Sequence, residues 1–220
     1  MVEIDRGIPL TRDTQTPRVQ ENTVAEAEVG SVGEAVGGAA AVVLAILALL
    51  GLLPLTLNAI AAIAIGAALL IGGAALARRY ARSGPAGYTV RGRQEVAGAL
   101  GLQAIAGVAG LALGILALLR IDPLTLLAVA SIVFGAALLA GGGAMARLAR
   151  SARWVRSEGD PMTAAGGWES LVGIGAIVLG ILALTGHVPM TLTLVAMLSV
   201  GAAILVSGSV LASRLFGMFG

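Results

Sequence analysis

Residues 114–126 read GILALLRIDPLTL, and the phrase returns twice, as AILALLGLLPLTL over 45–57 and GILALTGHVPMTL over 180–192. Each copy is an apolar run, a short break, and a proline that opens a second apolar run. Aligned on Pro54, Pro123 and Pro189, the match continues without gaps. Twelve residues past each proline stands Gly66, Gly135 or Gly201, followed each time by Ala-Ala, and seven further on stands Gly73, Gly142 or Gly208. An internal repeat of this kind has to be recognised before any single motif is interpreted. The chain contains three copies of one unit.

Working outward, each unit contains two apolar segments. A bilayer core about 30 Å thick needs about 20 apolar helical residues. Six segments meet that requirement: 35–53, 56–77, 96–119, 124–146, 166–186 and 190–213. Very short connections around the three prolines join them in pairs, whereas 78–95 and 147–165 are longer and charged. The expected fold is therefore all-α and membrane-integral, with six transmembrane helices arranged as three parallel-repeat hairpins over 34–82, 96–150 and 163–216. Consecutive hairpins enter the membrane in the same sense, related by an axis along its normal. They either close into a pseudo-threefold bundle or lie side by side in a larger assembly.

Composition agrees. Of 220 residues, 58% are hydrophobic and 12% charged, about half the charge of a soluble domain, and mean hydropathy is +0.97. The absence of cysteine removes disulfides and thiolate metal sites. A single histidine, His187, leaves little for zinc or haem, so neither metal nor cofactor is expected. No catalytic Ser/His/Asp set or phosphate loop is present, and an enzyme is not expected. All fourteen basic residues are arginine. They form short clusters beside apolar runs rather than the concentrated basic face that nucleic-acid binding requires. The expected partners are the lipid bilayer and either further copies of the chain or other membrane subunits.

Residues 1–33 form a polar tail. Through Glu34 the chain holds seven acids and three arginines, with Pro9 and Pro17. Residues 1–20 show no apolar period and are expected to be extended or disordered, with a helix capped at Asn22 or Thr23. The tail reads as a solvated leader or as a docking arm for another subunit. No cleavable signal peptide is expected, since the first 33 residues are polar and the first apolar run is a full span.

At each turn the proline stops the incoming helix, and the threonine two residues on (Thr56, Thr125, Thr191) is expected to cap the outgoing one. Small residues at Gly38 and Ala45, Gly107 and Gly114, and Gly173 and Gly180 in the first helices form one face. The glycines already named form another in the second helices. Such faces let helices approach closely where lipid supplies no hydrophobic drive.

One polar position also repeats. Twenty residues before each proline stands Glu34, Gln103 or Glu169, four residues ahead of Gly38, Gly107 or Gly173. At 100° per residue this places the polar side chain on the small-residue face within about 40°, pointing into protein near the end opposite the turns. Ionisable groups at membrane depth are functional candidates. The level reads as hydrogen-bonding glue between hairpins, or as a proton-responsive or ion-coordinating site of Glu34 and Glu169. His187 reads as a solvated turn residue, Trp154, Trp168, Tyr80 and Tyr88 as an interfacial belt, and Asn58 as an amide without counterparts in the other repeats.

The Gly-Ile-Leu-Ala-Leu run, the turn proline and the paired later glycines, over 36–78, 103–147 and 169–212, resemble the HdeD-type bacterial acid-resistance membrane proteins. That resemblance implies a small six-span inner-membrane protein associated with stress. It supplies no catalytic residue, and the long acidic leader departs from the family.

Orientation follows from charge. Arg78, Arg79, Arg82, Arg91 and Arg93 lie after the second span, Arg147, Arg150, Arg153 and Arg156 after the fourth, and Arg214 at the end of the sixth, against only Arg120 at the turns. The positive-inside rule puts both termini in the bacterial cytoplasm and the proline turns outside. Single cysteines at positions 56, 125 and 191 should react with an impermeant thiol reagent in intact cells; labelling at position 83 or 151 instead would reverse the topology.

Overall fold

In the computed structural model, helices are described over residues 16–82, 90–151 and 161–216, and side chains over 32–74, 98, 101–143 and 167–209. The chain is all-helical: α1 (Thr16–Leu49), α2 (Pro54–Arg82), α3 (Val90–Leu118), α4 (Pro123–Ser151), α5 (Pro161–Leu184) and α6 (Pro189–Phe216). Each contains a window long and apolar enough to cross a membrane, the first beginning at Val32 and the last ending at Ser209.

Three hairpins with one turn geometry result. Gly51, Arg120 and Gly186, each three residues before the proline, take positive φ, as do Leu53, Asp122 and Val188 immediately before it. The amide of Leu52 reaches back to the carbonyl of Leu47 while that of Gly51 reaches Ala48. Ile121 to Leu116 with Arg120 to Ala117, and His187 to Leu182 with Gly186 to Ala183, repeat the pattern at 3.0–3.4 Å. This is the Schellman termination, which favours glycine at its left-handed residue; the second copy places Arg120 there, at φ 62°. The carbonyls of Leu53, Asp122 and Val188 then accept from Leu57, Leu126 and Leu192. The proline is thereby the first helical residue, where its missing N–H costs nothing. The threonines are consequently not caps. Thr56, Thr125 and Thr191 sit inside the first turn, and termination is achieved by the backbone geometry ahead of the proline.

Helices also run past the apolar windows. Arg78, Arg79 and Arg82 lie on α2, Arg91 and Arg93 on α3, Arg147 and Arg150 on α4, and Arg214 on α6, not in loops; Arg153 and Arg156 fall outside the described residues. Helix α1 starts at Thr16 rather than Asn22 or Thr23. Pro17 falls in its first turn, where proline starts a helix rather than breaking one.

The hairpins close into a ring. Central helices α2, α4 and α6 touch one another, whereas α1, α3 and α5 sit at the periphery and, among the described residues, do not. Each peripheral helix packs between its own hairpin partner and the central helix of the preceding hairpin, and the most extensive interfaces are α2 with α3, α4 with α5, and α6 with α1. The arrangement is a pseudo-threefold bundle.

Glycine makes these three interfaces. A Cβ on Gly66 would lie 2.8 Å from the Gly107 carbonyl, and one on Gly107 would lie 2.6 Å from the Gly66 carbonyl. Gly135 and Gly173 are reciprocal in the same way at 2.5 and 2.6 Å, and Gly38 meets Gly201 at 2.8 Å. A second rung places Gly114 against Ala59 and Ile63, and Gly180 against Ala128 and Ile132, while a third sets Gly208 on the Ala35 backbone. Gly73 and Gly142 are buried at the positions equivalent to Gly208. Small residues are thus inside, and large ones such as Val36, Val43, Ile105, Val108, Leu171 and Val178 are exposed on the peripheral helices, the inversion expected of a surface that faces lipid.

The central stripe runs through positions 4, 11, 15 and 18 after each proline, which share a face within about 60°. At position 11 stand Ile65, Phe134 and Val200, and at position 15 Leu69, Leu138 and Ile204, all at most 2% exposed. The bulk of Phe134 is matched in its own hairpin: a Cβ on Gly110 would overlap its ring, and the equivalent positions beside Ile65 and Val200 are Ala41 and Ala176.

The third seam is as tight as the others from its Gly38 side and looser from its Gly201 side. A Cβ on Gly66 or Gly135 meets backbone atoms at 2.7 and 2.5 Å, whereas one on Gly201 meets only the Ala41 Cβ at 3.0 Å and backbone at 3.3 Å. Gly66→Ala and Gly135→Ala should each cost about 1–3 kcal/mol by overpacking, and Gly201→Ala clearly less. Thermal unfolding in lipid nanodiscs measures this; equal effects at all three positions would contradict the graded seam.

Candidate functional site

Position 18 of the central stripe is Gly72, Gly141 or Ser207, and above it lies the repeated polar level. A Cβ on Gly72 would overlap the Glu34 carboxylate, and one on Gly141 would lie 3.4 Å from Gln103 Oε1. Glu169 is hydrogen-bonded to Ser207. Each polar side chain of a peripheral helix therefore reaches over the small residue of its own hairpin's central helix, toward the axis. Glu34 and Gln103 are 5% and 8% exposed, and Glu169 is half-buried. Among the described residues, helices α1 and α5 do not touch. The Glu34 carboxylate lies over Gly72 of α2, and that of Glu169 against Ser207 of α6, at one level of the bundle.

The level lies inside the spans that start at Val32, Gly101 and Gly167. Among the residues whose side chains are described, the basic ones are Arg120 and His187, at the turns, while Arg78, Arg79, Arg91, Arg93, Arg147 and Arg150 lie on the helices toward the same end as this level. Ser207 has one proton and three acceptors within reach: the Ala203 carbonyl at 3.0 Å, the Ile204 carbonyl at 3.3 Å and the Glu169 carboxylate.

A second polar layer lies at position 4, toward the turns. Asn58 has a counterpart after all: its Nδ2 donates to Thr193 Oγ1 at 3.0 Å, and both residues are fully buried. Leu127 holds the same position in the second repeat, so two of three members are polar. The Thr193 hydroxyl donates to the Met190 carbonyl at 3.0 Å, and Asn58 Oδ1 is buried with no partner among the described residues. The column of residues four past each proline would have shown this pairing; read in its own helix alone, Asn58 has no partner.

His187 is exposed at its turn, with Nδ1 3.1 Å from Thr185 Oγ1. The same hydroxyl lies 2.8 Å from the Leu182 carbonyl. Trp168 is half-exposed beside Glu169; Trp154 and Tyr88, and the side chain of Tyr80, lie outside the described residues. Among the described residues no group of three His, Cys, Asp or Glu side chains could hold a metal.

No family model, curated protein or solved structure matches the chain. The geometry therefore carries the functional reading.

A buried acceptor without a donor costs about 1–3 kcal/mol, so Asn58→Leu, which copies the second repeat, should raise the unfolding temperature. Thr193→Val removes the one partner of Asn58 Nδ2 and should lower it by a similar free energy. A destabilised Asn58→Leu variant would show that the amide contributes more than it costs.

Proposed function

We propose that the chain is a non-enzymatic membrane protein of the bacterial inner membrane. In this reading it is a packed helical body of the envelope that contributes to acid-stress tolerance, with both termini cytoplasmic. The observation that carries this is the closed axis. Ile65, Phe134 and Val200, then Leu69, Leu138 and Ile204, fill successive layers with at most 2% exposure. An apolar plug two layers deep offers no polar path between the two polar levels, and ions need such a path. This disfavours the transporter or proton-channel alternative. The stress role is supported by the resemblance to HdeD-type proteins and by acidic groups gathered at one end of the bundle.

A second reading, as an accessory subunit or a unit of an oligomer, draws support from α1. It begins at Thr16, sixteen residues ahead of the first span at Val32, a projection of about 24 Å with Glu21, Glu26 and Glu28 along it. A stoichiometric unrelated partner on native purification would favour this role.

Proteoliposomes containing the chain should conduct protons no faster than empty vesicles, and cells expressing it should survive low pH better than controls. The Glu34→Gln, Glu169→Gln variant should retain that survival and the melting temperature, since the second repeat already uses Gln103. Proton flux through the wild type would overturn the reading. Survival lost with stability intact would make the carboxylates a proton site.

A further inference from the structure

On the outside of each central helix, positions 6, 13, 17 and 24 after the proline share a face within about 40°. Arg78 stands on this face of α2 with the exposed Ile60 and Ile71, and Arg147 on the same face of α4 with the exposed Ala136. Each arginine directly follows the last residue of an apolar run, where hydrocarbon gives way to headgroups. In α6 the position is Ser213. The face forms the floor of a groove between two peripheral helices, since α1 and α3 flank α2, and α3 and α5 flank α4. Helix α3 is therefore the peripheral helix with an arginine at the groove register on both sides.

The outer stripe of α3 also differs from its counterparts. Leu102, Ile105 and Gly98 are exposed, and Arg91 lies two turns before Gly98 on the same stripe, within about 60° of all three. A Cβ on Gly98 or on Gly101 would meet no atom within 4 Å, so the helix is notched between its arginine and its apolar stripe. The residues equivalent to Arg91 are Asn22 and Ser157, and those equivalent to Gly98 are Val29 and Ala164. Glu95 is the one acid on this stretch of α3, about 60° from Gly98, and Arg93 offsets its charge.

We propose that this edge of the bundle binds an anionic glycerophospholipid with two phosphates, straddling α3. Arg78 serves one phosphate, Arg147 the other, and Arg91 stands above the bridge between them. The guanidinium fork matches phosphate oxygens, and its stem lies along apolar surface while the charge stays at the interface. Basic pockets between membrane helices hold headgroups of this kind. The notch at Gly98 and Gly101 leaves room for the glycerol that joins the two halves, and the acyl chains descend the grooves on either side of Leu102 and Ile105. One two-phosphate lipid engages both grooves in a single binding event, whereas two single-phosphate lipids must each be ordered separately. The edge faces lipid, so the inference stands apart from the polar level on the axis and from any role in acid tolerance.

Full-length protein in nanodiscs provides the test. Discs of neutral phosphatidylcholine are compared with discs that also contain diphosphatidylglycerol, or phosphatidylglycerol at equal phosphate content. Diphosphatidylglycerol should raise the unfolding temperature saturably, with one molecule retained in native mass spectra, and phosphatidylglycerol should give a smaller shift. Arg78→Gln, Arg91→Gln and Arg147→Gln should each weaken retention about fivefold, the share of one arginine near a charged surface. Arg214→Gln, on α6 and away from this edge, should not. Gly98→Leu keeps every charge and fills the notch. It should lose the preference for two phosphates and leave the unfolding temperature in neutral discs unchanged, because the new side chain starts in open space. Equal responses to the two anionic lipids overturn the proposal, as does an equal loss in Arg214→Gln. A shift produced by inorganic phosphate in neutral discs also overturns it. So does a dimer that Arg78→Gln abolishes and anionic lipid leaves intact, which would assign the edge to the acidic start of α1 in a second copy.

Discussion

The bundle depends on backbone meeting backbone at three glycine pairs: Gly66 with Gly107, Gly135 with Gly173, and Gly201 with Gly38. Between helices in lipid the hydrophobic effect supplies no attraction, and cohesion comes from close contact and the few polar bonds that form. A Cβ at the first two crossings would meet main-chain atoms at 2.5–2.8 Å, and every other feature is arranged around that approach. The Schellman turns bring the second helix back beside the first at a fixed angle, so the seam on each central helix is presented to the next hairpin. Repeating one interface three times leaves no hairpin without a neighbour, and the ring closes.

That architecture was largely legible in the repeat alignment. The six spans, the turn prolines and the glycine faces are visible because backbone constraints and small-residue spacing leave local marks. What the sequence did not reveal is which helix of each hairpin faces the axis. In a soluble bundle the apolar stripe would show it, but here both faces of each helix are apolar, one toward lipid and one toward protein. The signal that survives is size at the crossings, with Gly and Ala where helices meet and Val and Ile of the peripheral helices toward lipid, while large side chains such as Ile65, Phe134 and Leu69 are buried along the axis itself. The threonine cap was misread for a related reason. Thr56, Thr125 and Thr191 have the chemistry of a cap, yet Leu53, Asp122 and Val188 already hold the preceding position with left-handed backbone. Pro17 likewise lies in the first turn of α1, within a stretch whose lack of apolar period predicts an extended leader.

The candidate site was half legible. The level of Glu34, Gln103 and Glu169 stands out because polarity recurs at one offset from the proline. Its partners at position 18 do not, since Gly72 and Gly141 acquire meaning only when seen beneath the side chains they admit. The Asn58–Thr193 bond joins residues 135 apart in sequence, and only the ring places them together. Departures from threefold symmetry concentrate on the axis: Phe134 against Gly110, Leu127 beside a polar pair, Gln103 between two acids. Equivalent positions that touch one another are free to specialise, provided their sum fits.

The ring also orders the assembly of the protein in time. Two of its seams join hairpins that are adjacent in the chain and can form as soon as each pair has left the ribosome. The seam between α6 and α1 joins the last helix made to the first. Until the third hairpin inserts, the Gly38 face of α1 lacks its Gly201 partner and the Asn58 amide of α2 lacks Thr193. A nascent chain of two hairpins is therefore an incomplete object with polar groups in hydrocarbon. The insertion machinery must hold it, or quality control must recognise it, until the final helix arrives.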